Sequence, residues 1–175
     1  RTILLGSDNS TYIGSSFKND SGNLDSLVTK YSADGIQQWS KVLSGSGDER
    51  VSKLLEGNDG EIYAGGSTSS DLDGHTNSGY NDSFIVKYAN TGEKLWTELF
   101  GTGAREYDQT MVMNEDGLIY IAGRQFTPIF FDTQLNNGLE DAFLAKYSSD
   151  GTKQWTQLLG SSAHDSSTSV TTTAD

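Results

Sequence analysis

The sequence contains no cysteine and a single proline, Pro128. The first absence excludes disulfides, zinc–thiolate sites and thiol chemistry. The second excludes a proline-rich stalk or linker. No run reaches the roughly 18 apolar residues that a membrane-spanning helix requires. Basic residues are scarce, 12 against 24 acidic ones, for a net charge of −12. No basic cluster offsets that balance, and phosphate backbones repel it, so nucleic acid is not an expected partner. The only two histidines, His75 and His164, stand in dissimilar polar stretches with no metal-ligand spacing. A helical period of useful length is missing as well, which predicts helix content close to nil. The opening Arg1-Thr2-Ile3-Leu4-Leu5 has neither a start methionine nor a signal-peptide layout. It reads as a cut end, with any targeting segment expected outside this stretch.

What the chain has is a repeat. Asp25-Ser26-Leu27-Val28-Thr29-Lys30-Tyr31 recurs as Asp82-Ser83-Phe84-Ile85-Val86-Lys87-Tyr88 and as Asp141-Ala142-Phe143-Leu144-Ala145-Lys146-Tyr147. Four residues beyond each tyrosine stands a glycine (Gly35, Gly92, Gly151), and four further on a tryptophan (Trp39, Trp96, Trp155). Successive copies lie 57 and 59 residues apart. A second block, Gly60-Glu61-Ile62-Tyr63-Ala64-Gly65, returns around Tyr120 and, worn, around Tyr12. Such a period marks a repeat architecture.

One period holds four short strands, a to d, joined by polar turns. In the second copy these are predicted over about 51–56, 62–67, 83–88 and 94–100, with Asn58-Asp59-Gly60 turning the chain between the first two. Strand c reads Phe84-Ile85-Val86, apolar on both faces, which predicts cover on both sides. Four-stranded sheets stacked about an axis are propeller blades. The expected fold is therefore an all-β β-propeller: three four-stranded antiparallel blades forming an arc of a larger ring. Their bounds are about 1–43, 51–100 and 108–159, with the first strand of a fourth blade over 167–175. A solenoid is the competing architecture, but its repeats are commonly shorter.

These motifs resemble the bacterial SBBP family of β-propeller repeats, and the resemblance extends over the whole chain, including Ser70-Asp71-Leu72-Asp73-Gly74-His75-Thr76-Asn77-Ser78-Gly79. It implies the fold and a secreted or cell-surface bacterial location, and no defined reaction.

Alternating strand direction puts the b–c and d–a connections at one end of the sheets and the tight a–b and c–d turns at the other. From the strand-b tyrosine to the strand-c aspartate there are 13, 19 and 21 residues in the three copies, so the first end carries the variable loops. Variable loops on rigid strands are where binding resides. Two candidate sites lie there. Asp71, Asp73, Asn77 and Asp82 resemble an oxygen-ligand calcium loop, but His75 takes the fifth position and the glycine falls at the fourth. The alternative is that Asp71 and Asp73 cap a turn while Asp82 pins the start of strand c. The second candidate is the third b–c loop, where Arg124, Phe126, Phe130 and Phe131 would form a partner-binding patch; the alternative folds them over the blade edge or into a gap beside the next blade. The three tryptophans, at one fixed position, are expected in equivalent, largely buried places between blades.

No nucleophile elbow, phosphate loop or His-Glu-x-x-His occurs. Paired acids such as Asp48-Glu49 and Glu115-Asp116 read as solvated turn residues. The expected function is a non-catalytic extracellular scaffold or adhesion module with no cofactor beyond the candidate calcium. Its expected partners are other blades of the same ring or further copies of the chain. A glycan- or protein-binding propeller is the alternative, followed by a propeller enzyme whose active face needs more blades.

Overall fold

The computed structural model describes residues 1–126, 130–136, 138–167 and 169–172. Among these there is no helix. Twelve of the fourteen strands form three four-stranded antiparallel sheets, each a simple meander in chain order. The first comprises β1 (Thr2–Leu5), β2 (Thr11–Lys18), β3 (Leu24–Tyr31) and β4 (Gln37–Leu43). The second comprises β5 (Glu49–Glu56), β6 (Ile62–Thr68), β7 (Asp82–Tyr88) and β8 (Lys94–Phe100). The third comprises β9 (Glu106–Met113), β10 (Ile119–Phe126), β13 (Glu140–Tyr147) and β14 (Lys153–Leu159). Between β10 and β13 a small hairpin intervenes, β11 (Phe130–Phe131) with β12 (Gln134–Leu135), which the sequence pattern does not announce.

The sheets stack in series, β5 lying across β1, β2 and β3, and β9 across β5, β6 and β7. Strand alternation divides the second sheet between two cores. Phe84, Val86 and Tyr88 join Tyr12, Val28 and Val51 in the core shared with the first sheet. Ile85 and Tyr63 join Met111, Ile121 and Phe143 in the core shared with the third. Every residue of β6 and β7 is buried, in β7 as its two-sided apolar pattern predicts. Each such side chain contributes about 1.5–3 kcal/mol of apolar burial, so the middle sheet is held from both faces.

The repeated motif supplies the connector between sheets. Tyr12, Lys30 and Trp39 are cross-strand neighbours in one row, as are Tyr63, Lys87 and Trp96, and Tyr120, Lys146 and Trp155. In each row the ammonium stands over the tyrosine ring, at 5.2, 5.2 and 5.5 Å from its centroid. The first row reaches the c–d turn of the second sheet: Trp39 Nε1 donates to the Asn90 carbonyl at 2.9 Å, and Lys30 bonds the Asn90 side chain. The second reaches the equivalent turn of the third, Lys87 Nζ donating to the Ser149 carbonyl at 3.1 Å. The glycine of each receiving turn has positive φ, 84° at Gly92 and 91° at Gly151. Its missing side chain is also what the tryptophan packs on, since a Cβ at Gly92 would stand 2.8 Å from the Trp39 ring. The tryptophans thus occupy equivalent places in their sheets, but they are half-buried rather than largely buried, because each lies on an edge strand, Trp39 and Trp96 over the rim of the following sheet.

Ser169–Thr172, expected to open a fourth blade, form no strand: no second strand lies beside them to pair with. Residues 168 and 173–175 of that expected strand lie outside the described residues.

Candidate functional site

The variable connections do gather at one end, each b–c loop bonded to the d–a turn that follows it. Tyr80 N–H donates to the Ala104 carbonyl and Leu139 N–H to the Ala163 carbonyl, at 3.0 and 3.3 Å. Asn23 Nδ2 donates to the Ser46 carbonyl at 2.7 Å. Parallel bridges Asn81–Arg105 and Glu140–His164 continue these seams.

The candidate calcium residues stand close in sequence but point apart. Asp71 Oδ1 accepts the Asn77 N–H at 2.9 Å, and Asn77 Oδ1 accepts the Gly79 N–H at 2.9 Å. Asp73, at φ 51°, turns to β8, where it pairs with Lys94 and accepts the Thr97 hydroxyl at 2.6 Å. Burial raises its carboxyl, but the bonds from Lys94 and Thr97 prevail and hold it below the usual range. Asp82 Oδ2 accepts the Ser78 N–H at 2.8 Å. Asn77 makes an Asx turn, and Asp71 and Asp82 close the loop on its backbone N–H groups, whereas Asp73, expected to cap a turn, reaches β8 instead. Among the described residues no group of three acids or histidines converges in a way that would hold a metal.

The four residues of the third b–c loop separate. Phe131 is in the core, 3% exposed and stacked on Phe143 at 5.4 Å, and so is not a surface contact. Its hairpin is drawn inward by Gln134, whose Nε2 donates to the Thr156 carbonyl while its Oε1 accepts the Leu158 N–H, at 2.9 and 2.8 Å. The Phe130 side chain, with Thr127, Pro128 and Ile129, lies outside the described residues. Arg124 and Phe126 do come together at the surface. The guanidinium stands over the Phe126 and Tyr107 rings, 5.3 and 5.9 Å from their centroids, and donates to Glu140 Oε1 at 3.0 Å. Tyr107 meets Phe126 edge-on at 6.0 Å, and its hydroxyl donates to Asn81 Oδ1 at 3.2 Å.

Beside them opens a groove of about 330 Å³ lined by Tyr80, Gly103, Ala104, Arg105 and Phe126. Tyr80 is 68% exposed, and the Arg105 guanidinium lies 5.4 Å from its ring centroid. Arg105 is exposed and, among the described residues, has no carboxylate partner. An unpaired guanidinium beside aromatic faces, on a chain of net charge −12, is a local inversion of the surface field. Tyr80, Arg105 and Tyr107 escape a sequence reading because they sit on two separate connections and the start of β9. Their signal is that Gly103-Ala104-Arg105 departs from the corresponding Ser46-Gly47-Asp48 of the first copy.

One expectation is overturned at this same end. Glu49 is not a solvated turn acid but 0% exposed, accepting the Gly45 N–H and the Thr68 and Ser70 hydroxyls, and burial raises its carboxyl. A turn acid is solvated only if its turn faces water, and this one faces the seam between two sheets.

No protein-family model matches the chain. It is 32% identical over 106 residues to the regulatory protein FlaEY of Caulobacter vibrioides, a match covering 57% of this chain and 11% of that protein. It is also similar to a crystallised protein of unknown function from Bacteroides caccae, at 14% identity and a TM-score of 0.45, over 90% of this chain and 57% of that one. The chain thus spans about a tenth of the curated relative and little more than half of the solved one.

Proposed function

We propose that the chain is a run of β-propeller blades forming part of a larger ring, and that it serves as a non-catalytic extracellular or cell-surface scaffold whose variable-loop end is its interaction surface. The observation that carries the reading is the direction of the inter-sheet connector. Each sheet presents a Tyr–Lys–Trp row forward, and the second and third receive one on their c–d glycines. The same two surfaces remain unfilled at the ends of the stack. A Cβ on Gly35 would meet nothing within 4 Å, and the outer face of the first sheet exposes Ile3, Leu5 and Val42. At the far end the Tyr120–Trp155 pair has its receiving turn on no described residue. Both faces match a further sheet of the same repeat, and apolar faces of this kind drive association when left bare. Sedimentation of the 175-residue chain should therefore show concentration-dependent association. Trp155→Ala should weaken it while sparing the two internal seams. A monodisperse monomer at high concentration, unaffected by that substitution, would count against the ring.

A second reading, a glycan- or protein-binding module, is favoured by the Tyr80–Arg105–Phe126 groove. An anion borne on an apolar or ring-shaped body matches that lining. Calorimetric titration with a uronic-acid oligosaccharide and with a glutamate-rich peptide, on the wild-type chain and on Arg105→Ala, tests it. No saturable heat with either probe removes the reading.

A further inference from the structure

Two carboxyl groups meet away from water at the seam between the second and third sheets. Asp82 opens β7 and is 1% exposed; Glu106 opens β9 and is 0% exposed. The seam is drawn tight around them, the Glu106 N–H donating to the Asn81 carbonyl at 2.8 Å. Both side chains converge on Gly101. A methyl group there would collide with Asp82 Oδ1 and stand 2.7 Å from Glu106 Oε2, so glycine is what lets them approach.

Hydrogen bonds satisfy three of the four oxygens. Asp82 Oδ2 accepts the Ser78 N–H, and Glu106 accepts the Thr102 N–H on Oε2 and the Thr102 hydroxyl on Oε1. Asp82 Oδ1 is buried without a partner. Gln125, from β10, donates to the Thr102 hydroxyl oxygen and brings no charge. The nearby cations are engaged elsewhere, Arg105 on the Tyr80 ring and Arg124 on Glu140. Asp82 is the charged group that acts on Glu106 from the packed strands.

The other seams show what sets this one apart. At the first, Asp25 and Glu49 hold the same positions, but Asn19 Nδ2 donates to Asp25 Oδ1 at 2.8 Å. At the end of the third sheet Asp165 takes the place of Glu106, half-exposed and bonded to Ser161. Only the Asp82–Glu106 seam, among the described residues, buries both acids and leaves a carboxylate oxygen bare.

Two desolvated carboxylates without a counter-cation cannot both remain ionised at low cost. A proton on Glu106 removes the repulsion between the two groups. We propose that Asp82 and Glu106 together hold one proton at this seam, and that its loss as the pH rises to neutrality loosens the third sheet from the second. Burial, with the charge of Asp82 added, pushes Glu106 up to about 7, and burial raises Asp82 too. The sign follows from linkage. The folded chain holds this proton more tightly than the unfolded one, so the stabilisation is complete below the ordinary carboxylate range and is lost as pH rises towards 7.

The test is the unfolding equilibrium of the full chain between pH 5 and 8, for wild type, Glu106→Gln and Asp82→Asn. The Gln side chain keeps the shape of Glu106 and carries no charge at any pH. The wild-type unfolding constant should therefore rise over that range by roughly a hundredfold more than that of Glu106→Gln. Carboxyl carbon-13 spectra of the wild-type chain should show one carboxyl titrating near neutrality, and this signal stands even if a variant fails to fold. Equal pH slopes in all three chains, or no carboxyl titrating above pH 6, would overturn the proposal. So would a calcium-dependent stabilisation at pH 8 that Glu106→Gln abolishes, because a metal ion rather than a proton would then neutralise the pair.

Discussion

Replacing Gly92 by alanine and comparing it with the same change at Gly35 separates two effects that the repeat otherwise confounds. Both glycines occupy c–d turns at similar positive φ, 84° and 76°, and both donate their N–H three residues back, to Ala89 and Ser32. The left-handed backbone costs an alanine about 1–2 kcal/mol at either position. Only at Gly92 does the new methyl also meet a neighbour, 2.8 Å from the Trp39 ring, whereas nothing lies within 4 Å at Gly35. Crowding in a packed site adds roughly 1–3 kcal/mol. Gly35→Ala should thus cost about 1–2 kcal/mol, and Gly92→Ala about 2–5. At about 2–4 °C per kcal/mol for a chain of this size, the two melting temperatures should differ by roughly 2–12 °C. Calorimetry measures both. In a Trp39→Ala background the excess cost of Gly92→Ala should vanish, because the ring it strikes is gone. Equal losses at Gly35 and Gly92, or an excess that survives without Trp39, would refute the inter-sheet role of the turn glycine.

Phe131→Ala, which empties a stacked core position, should cost about 3–5 kcal/mol by urea unfolding, and Phe126→Ala less than half of that because its ring is half-exposed. Asp73→Ala should lose about 1 kcal/mol with its Lys94 and Thr97 bonds. Because its carboxyl is held below the usual range, that contribution is present above pH 4 and fades as pH falls through the folded value. Calcium titration of the wild-type chain should give no saturable heat, and heat that Asp71→Asn or Asp73→Asn removes would restore the metal reading.

Strand placement was legible to within two residues in the second copy, since Ile62, Asp82 and Lys94 sit where a turn residue gives way to a period-two pattern. Equivalence of the tryptophans was legible too, from spacing alone. Their partners were not, because Trp39 meets Gly92 across 53 residues of sequence and in a different sheet. Nothing in the sequence assigns the lysine of each motif a place, and only the cross-strand register puts it over a tyrosine. Glu49 misled because burial of a turn acid is decided by what the neighbouring sheet places over it. The β11–β12 hairpin is too short for its alternation to stand out, so Phe131 read as a loop aromatic when it is a core residue. Arg124 and Phe126 stand side by side, but the groove beside them draws Tyr80 and Arg105 from other connections, which no local pattern links.

The forward-reaching row and backward-receiving glycine also give the repeat a grammar for its own history. A unit gained or lost whole, cut anywhere in the period so long as it is cut at the same place twice, restores a donor opposite a receiver. A partial unit sets two donors, or two receivers, face to face. Length changes are free within the b–c loops, where 13, 19 and 21 residues are already accommodated. They are forbidden between the tyrosine and the tryptophan, eight residues apart in every copy. Such a chain can grow by duplication without redesigning a single contact, and each new unit brings a fresh pair of loops to the variable end.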